Sequence, residues 1–226
     1  MNPIKPVALA DQIYTEIKRM ILQCELSPGE RLVEKSLCES LDVSRTSLRE
    51  ALNRLTQERL VTAKPNVGFS VTALTERSFR EICELRRILE SNAAALAAER
   101  ADEFVIGALR GAAIVRTTLE AEDAFLIYCN SNRAFHQLIA EGTGNQMLAE
   151  SILSVLDKDQ QPLFYGIDLE VCTNLEDVNR EHLAIAEAIA RRDPVEARQL
   201  MWEHIGKKED RILDALKARG LVSGKQ

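Results

Sequence analysis

The amino-acid sequence predicts a mainly α-helical protein, in which an N-terminal winged helix-turn-helix is followed by an all-α helical bundle. Two observations support this fold class. Only 4% of the 226 residues are aromatic, whereas leucine, alanine, glutamate and arginine are abundant, a composition typical of helices. Runs of β-prone residues are confined to residues 60–73, and no strand-like alternation follows residue 75. The change of pattern predicts two domains, residues 1–74 and residues 75–226.

The first domain is predicted to contain three helices and a hairpin. Apolar residues at helical spacing indicate a first helix over about residues 8–23. A short second helix follows around Leu37 and Leu41. Ser44 is suited to cap the third helix, because its hydroxyl can accept a hydrogen bond from a free N–H of the first turn. The segments LVTAK and FSVTA, on either side of the turn PNVG, predict a β-hairpin.

The second domain is predicted to be helical throughout. Thr75 is placed to cap a long first helix. Further helical patterns cover about residues 103–119, 122–140, 145–160, 174–191 and 194–218. A short turn at Arg192–Asp193 joins the last two helices, since Asp193 is a capping residue and Pro194 takes the first helical position.

Charge and cysteine usage limit the function classes. The net charge is -6, yet residues 1–75 carry 10 Lys/Arg against 9 Asp/Glu, while the remainder carries 19 against 26. A contact with a polyanion is therefore expected in the first third. The five cysteines include no C-x-x-C pair, which predicts reduced thiols. Neither a signal peptide nor an apolar segment of about 20 residues is found, so we predict a cytoplasmic protein without membrane contact.

The third helix combines a core-facing stripe with a cationic polar face. The stripe, at i, i+3, i+4 and i+7, consists of Leu48, Ala51, Leu52 and Leu55. Arg45 and Arg49 fall on the opposite face, near a helix N-terminus whose N–H groups and hydroxyls suit phosphates. Arginine can also donate two hydrogen bonds to guanine in the major groove. The alternative is a solvated face paired with Glu50 or Glu58, but the adjoining helices and hairpin favour DNA.

The run LSPGERLVEKSLCESLDVSRTSLREALNRLTQERLV, followed by VGFSV, resembles the DNA-binding domain of GntR-family transcriptional regulators. The resemblance extends from about Leu9 to Val71. It implies a winged helix-turn-helix that binds double-stranded operator DNA. It also implies the DNA-contacting residues Lys35, Ser44, Arg45, Thr46, Ser47, Arg49, Asn66 and Gly68.

Three residues depart from the GntR pattern. Asp42 and Arg59 stand where glycine is common, and Ser47 stands where proline is common. Aspartate tolerates the left-handed conformation better than most residues, so we expect the turn at Asp42 to survive. Arg59 leaves two interpretations open, an added contact to the DNA backbone or simple exposure.

Three histidines and one asparagine form a candidate metal site. Asn132 and His136 share a helix face one turn apart. His182 and His204 each lie 11 residues from Asp193, so in an antiparallel helix pair both sit about 16 Å from the turn and can face each other. Three imidazoles and an amide oxygen suit Zn²⁺, Ni²⁺ or Mn²⁺. The alternative is that the histidines are structural, as lone histidines usually are.

The motifs ELRRILESNAAALAAERA, NRAFHQLIAEGTGN and EHLAIAEAIARRDPVEARQLMWEH resemble the FCD effector domain of the FadR branch of that family. The resemblance implies a small carboxylate effector bound by Arg86. It also implies a divalent metal ion held by Asn132, His136, His182 and His204. Many members have aspartate where this chain has Asn132. The neutral amide of Asn132 leaves the metal site more positive and favours an anionic effector. The other interpretation of Arg86 is an ion pair with Glu90, four residues on.

These inferences predict a metabolite-responsive transcriptional regulator that is not an enzyme. We expect a repressor that binds a palindromic operator as a homodimer. Two other interpretations stay open. A metal-dependent hydrolase would suit three histidines around an open metal position, but no H-E-x-x-H pattern accompanies them. Alternatively, the helical domain only dimerises and its histidines or its metal are structural.

Overall fold

The computed structural model describes residues 9–116, 124–166, 175–218, 220 and 222. These residues form two compact units, one that extends to Leu74 and one that begins at Thr75. The first is a winged helix-turn-helix and the second is a helical bundle, so the mainly α fold class is confirmed. Outside the described residues lie the helix ends predicted at residues 8, 119, 122 and 174. None of the described helices is both long enough and apolar enough to cross a membrane.

The first unit contains three helices and three short strands. They are α1 (Leu9–Leu22), β1 (Arg31–Leu32), α2 (Glu34–Leu41), α3 (Arg45–Gln57), β2 (Val61–Lys64) and β3 (Gly68–Val71). Helix α3 begins at the predicted cap, because Ser44 Oγ accepts a hydrogen bond from the N–H of Ser47 at 3.2 Å. Asp42 ends α2 in the left-handed conformation, with a φ of 53°, so the expected turn is confirmed.

The wing is a three-stranded antiparallel sheet in the order β1-β3-β2. The predicted hairpin is confirmed, with Val61 opposite Val71 and Lys64 opposite Gly68. Strand β1, whose Leu32 pairs with β3, is missing from the sequence prediction because two residues are too few to show an alternating pattern. The predicted stripe of α3 is buried against α1 and the sheet, which leaves the cationic face outward.

The second unit contains six helices in the described part of the chain. They are α4 (Glu76–Arg100), α5 (Glu103–Ala112), α6 (Ala124–Gly142), α7 (Gln146–Gly166), α8 (Leu175–Ala190) and α9 (Pro194–Ala218). Thr75 caps α4 as expected, through a reciprocal pair of hydrogen bonds with Ser78. Helix α4 packs most extensively against α9 and also contacts α6, α7 and α8, so it forms the centre of the bundle.

Two predicted helix ends are wrong. Helix α5 ends at Ala112, so the helix predicted over residues 103–119 is too long across residues 113–116. The side chain of Asn179 explains this end, because its Oδ1 accepts a hydrogen bond from the N–H of Val115 at 2.9 Å and its Nδ2 donates to the carbonyl of Val115. Helix α7 extends to Gly166 rather than ending at residue 160.

The cysteines of the described residues form no disulfide, in keeping with the predicted reduced thiols. Cys83 and Cys129 are buried, whereas Cys24 and Cys38 are partly buried. Burial raises the pKa of the Cys83 thiol to about 12, so this thiol stays protonated at neutral pH. Cys172 lies outside the described residues.

Candidate DNA interface and metal centre

Two adjoining clefts lie on the surface that α2, α3 and the wing form. The first is lined by Glu34, Arg45, Thr46, Arg49, Glu50 and Asn53. The second is lined by Glu34, Arg49, Asn53 and residues 63–69, which include Asn66 and Gly68. The structure therefore brings the α3 residues and the wing residues of the predicted DNA interface onto one continuous surface.

The remaining predicted DNA contacts, Lys35, Ser44 and Ser47, line neither cleft. Lys35 is exposed in the first turn of α2, where its ammonium group lies 3.9 Å from Glu39. The hydroxyls of Ser44 and Ser47 are hydrogen-bonded to each other at 3.0 Å. Both hydroxyls thus take part in the cap of α3, and a contact with DNA would be made in addition to that cap.

Arg49 is held by a carboxylate that the sequence did not indicate. Its Nε and Nη2 donate hydrogen bonds to the two oxygens of Glu34, at 2.7 and 3.1 Å. The hydrogen bond from Arg49 holds the pKa of Glu34 below its usual value. Of the partners that the sequence suggests, Glu58 pairs with Lys18 instead, at 2.9 Å. No spacing rule points to Glu34, because it lies 15 residues from Arg49 on another helix.

The three histidines meet in the interior of the second unit, and we call them the histidine cluster. His136 comes from α6, His182 from α8 and His204 from α9, and all three are buried. Their ring centroids are 4.8 to 5.6 Å apart, and one ring nitrogen of each lies within 4.8 Å of the others. The predicted meeting of His182 and His204 across the α8–α9 pair is confirmed.

Several polar atoms around this cluster are buried without a hydrogen-bond partner in the described part of the chain. Among them are both ring nitrogens of His182, Nε2 of His204 and Oδ1 of Asn132. A buried polar atom of this kind is destabilising unless a ligand or an ion supplies the missing contact. Imidazole nitrogens and an amide oxygen are ligands that a divalent cation accepts. The residues present therefore fit a metal ion.

Two glutamates orient two of the histidine rings. Glu90 Oε2 lies 2.5 Å from Nδ1 of His136. In the same way, Glu181 Oε2 lies 2.7 Å from Nδ1 of His204. A carboxylate on one ring nitrogen leaves the other, Nε2, available to a metal. The sequence did not indicate Glu181 because its partner is on the facing helix and is not its chain neighbour His182.

Burial keeps the histidine cluster neutral. It lowers the pKa of His204 to about 4, and it lowers the pKa of His182 well below its usual value. Burial also lowers the pKa of His136. His182 is held in place by Phe135, with stacked rings whose centroids are 4.0 Å apart. Because the neutral imidazole is the form that binds a metal, the cluster is in the correct protonation state at neutral pH.

A network of buried charges lies beside the histidine cluster. Arg86, which is 0% exposed, donates from Nε to Glu90 at 2.5 Å and from Nη1 to Asp159 at 2.7 Å. Lys208 donates to the same oxygen of Asp159. The Arg86–Glu90 ion pair, the alternative interpretation from the sequence, is thus present, and effector binding by Arg86 stays a prediction. Arg86 Nη2 also lies 3.4 Å from Nε2 of His136, the nitrogen that a metal would use.

The carboxylates of this network are ionised. Burial alone would raise the pKa values of Glu90 and Asp159, but the neighbouring cations outweigh it and hold both below their usual values. Lys208 lies four residues after His204 on α9, so helical spacing could have placed it beside the site. No comparable signal exists for Asp159, which is 73 residues from Arg86.

Two family models match this chain. The family described as "FCD domain" matches residues 81–207. The family described as "Bacterial regulatory proteins, gntR family" matches residues 9–71. The first match lies within the helical unit and the second lies within the winged unit.

Curated relatives and a solved structure match along most of their lengths. The uncharacterized HTH-type transcriptional regulator YdhC of Bacillus subtilis is 32% identical and aligns over 88% of this chain and 89% of its own. The HTH-type transcriptional repressor GlaR of Escherichia coli is 29% identical over 85% of this chain and 90% of its own. The solved structure of E. coli McbR/YncC is 25% identical, with a TM-score of 0.77 over 92% of this chain and 99% of its own.

Proposed function

Because this chain belongs to the GntR family of bacterial regulatory proteins and carries an FCD domain, we propose that it represses transcription and releases its operator when a small carboxylate binds the helical unit. The relatives are transcriptional regulators and not enzymes, and one of those described above is named as a repressor. A cytoplasmic location stays a prediction.

The winged unit would bind the operator. Helix-turn-helix domains of the GntR family bind DNA, and members of the family are dimeric. A homodimer with two-fold symmetry would read a palindromic sequence. The proposed contacts come from α2, from α3 with its cap, and from the wing, and they are Lys35, Ser44, Arg45, Thr46, Ser47, Arg49, Asn66 and Gly68.

The helical unit would hold a divalent metal ion, Zn²⁺, Ni²⁺ or Mn²⁺. Some FCD domains bind metal, and the observation that supports a site here is the buried histidine cluster with its unpartnered ring nitrogens. The proposed ligands are Asn132, His136, His182 and His204. Once bound, the ion supplies a positive charge to which carboxylate oxygens are attracted.

The charges around the cluster favour an anionic effector. The proposed metal ligands are all neutral, and the positive charges of Arg86 and Lys208 are balanced by the ionised Glu90 and Asp159. The charge of the ion is then left for the effector to offset. Arg86 would meet an effector carboxylate only by sharing its guanidinium with these two carboxylates. Release of the operator requires that the effector bind the DNA-incompetent state more tightly than the competent one.

Metal analysis and a thermal-shift panel of small carboxylates would test this proposal, with an EDTA-treated sample beside the purified protein. We expect about one metal ion per chain, stabilisation by one of the acids, loss of that stabilisation after EDTA, and release of operator DNA by the same acid. His136→Ala should lower the metal content. Unchanged metal content in that variant would contradict the site. Metal without any response to acids would favour a helical unit that only dimerises.

A further inference from the structure

We propose that Glu34 positions Arg49 to read guanine, and that this acidic residue thereby sets the preference of the protein for its operator over other DNA. The inference rests on the DNA-binding part of the proposed function. Glu34 is the first residue of α2, whereas Arg49 lies on α3, so their ion pair joins the two helices of the helix-turn-helix. Both residues line both of the clefts described above.

The hydrogen-bonding pattern leaves the correct edge of the guanidinium free. A guanidinium has two edges that can each donate a parallel pair of hydrogen bonds. Glu34 takes the edge formed by Nε and Nη2. The edge formed by Nη1 and the second hydrogen of Nη2 meets no acceptor within the described part of the chain, and the side chain is 63% exposed. Such an edge fits O6 and N7 of guanine.

The ion pair also restricts the motion of Arg49. A free arginine side chain samples many rotamers and loses that freedom when it binds a base. The two hydrogen bonds to Glu34 hold the plane of the guanidinium before DNA arrives. Restriction of this kind strengthens contacts that need one orientation, such as a paired contact with guanine, more than contacts with phosphates, which accept many orientations.

The charge of Glu34 acts in the opposite direction on other DNA. Glu34 is hydrogen-bonded by Arg49 and is also attracted by Arg45, so its negative charge interacts with two of the predicted DNA-binding cations. Phosphates meet that charge whatever the sequence of the duplex, so it weakens non-specific binding. Removal of the charge should therefore strengthen binding to unrelated DNA while it releases the side chain that reads guanine.

The experiment begins with an operator that the wild-type protein enriches from a random double-stranded library. Fluorescence anisotropy at one salt concentration then gives the dissociation constants for this operator and for an unrelated duplex of the same length. We expect Glu34→Gln to bind the unrelated duplex more tightly. The dissociation constant for the unrelated duplex divided by that for the operator should fall about ten-fold. Glu50→Gln is the matched control, because it removes the same charge from the same cleft.

The control should change the ratio less than about two-fold, since Glu50 forms no ion pair with an arginine among the described residues. Glu34→Gln should likewise have little effect on the ratio in an Arg49→Gln background, because the two residues act as one unit. If Glu34→Gln behaves like Glu50→Gln, or if its effect persists without Arg49, the positioning role is wrong. If the wild-type protein enriches no sequence at all, operator binding itself is contradicted, and the role of Glu34 with it.

Discussion

Arg49 of the winged unit and Arg86 of the helical unit lie in opposite environments. In the winged unit, Arg49 is 63% exposed and pairs with Glu34 at the surface. In the helical unit, Arg86 is 0% exposed and pairs with Glu90 and Asp159 in the interior. An exposed cation remains available to a polyanion, whereas Arg86 is already engaged by Glu90 and Asp159 and would have to share its guanidinium with any further anion. The winged unit is thus built to meet DNA, and the helical unit is built around an enclosed polar centre.

This difference has an energetic consequence. An exposed ion pair contributes about 0 to 1 kcal/mol, because water already solvates both charges well. Loss of one partner of a buried pair leaves an uncompensated charge in the interior and destabilises by about 3 to 5 kcal/mol. Loss of the exposed Arg49 should therefore act mainly on DNA affinity, whereas loss of the buried Arg86 should act mainly on folding.

The largest expected effect is that of Arg86→Met. The substitution leaves Glu90 buried without its arginine and leaves Asp159 with Lys208 alone, so we expect a loss of about 3 to 5 kcal/mol in the free energy of unfolding of the helical unit. Urea denaturation of the metal-free protein, followed by circular dichroism, would measure it. Arg77→Met is the matched control, since Arg77 and Glu81 form an ion pair at the same spacing on the same helix but are 78% and 61% exposed.

The control should lose less than about 1 kcal/mol. Similar losses in the two variants would contradict the contrast between buried and exposed pairs.

The second prediction concerns pH, because all three histidines belong to the helical unit. The unfolded chain takes up a proton at His204 near pH 6.5, whereas the folded chain does so only near pH 4. The free energy of unfolding of the metal-free helical unit should therefore fall as the pH drops through that interval, and His204 alone should contribute on the order of 3 kcal/mol to this fall. Urea titrations at several pH values would measure the slope.

The winged unit has no histidine and should show little change between pH 6.5 and pH 5. His204→Gln should make the slope of the helical unit shallower, and the lowered pKa values of His182 and His136 should account for the slope that remains. A slope that survives this substitution unchanged would mean that His204 is not its source.

The third prediction concerns Glu181, which contacts Nδ1 of His204. If the proposed metal site is correct, Glu181→Gln should raise the dissociation constant of the metal about 10- to 100-fold, because the amide supports the imidazole less well than the carboxylate does. Competition with a chromophoric chelator would measure the constant. Glu203 is next to His204 in the chain but is exposed, so Glu203→Gln should leave the dissociation constant of the metal unchanged. Equal constants for the two variants would rule out the role of Glu181 in orienting the His204 ring.

Sequence reasoning succeeded and failed in both units. The Ser44 cap, the apolar stripe of α3 and the meeting of His182 with His204 were all predictable, because each depends on spacing within one helix or within one pair joined by a short turn. The partners Glu34 for Arg49 and Asp159 for Arg86 were not. They come from other helices, and only the packing of those helices decides which carboxylate meets which guanidinium.

The smallest expected effect tests a backbone feature that the two units share. Arg59 follows α3 in the left-handed conformation, with a φ of 62°, and the N–H of Leu60 donates to the carbonyl of Leu55. This is a helix end at which glycine is preferred, because a side chain is strained there. Arg59→Gly should raise the free energy of unfolding of the winged unit by about 0.5 to 1 kcal/mol, measured by urea denaturation.

Arg192 ends α8 in the same conformation, with a φ of 60°, but its side chain has a structural role. Its Nη1 donates to the carbonyl of Ala101 at 2.5 Å, beyond the end of α4. Arg192→Gly would relieve the same strain but lose this hydrogen bond, which is worth roughly 1.5 to 3 kcal/mol from a charged donor, so we expect no stabilisation. Equal stabilisation of the two glycine variants would mean that the hydrogen bond from Arg192 to Ala101 contributes nothing to the stability of the helical unit.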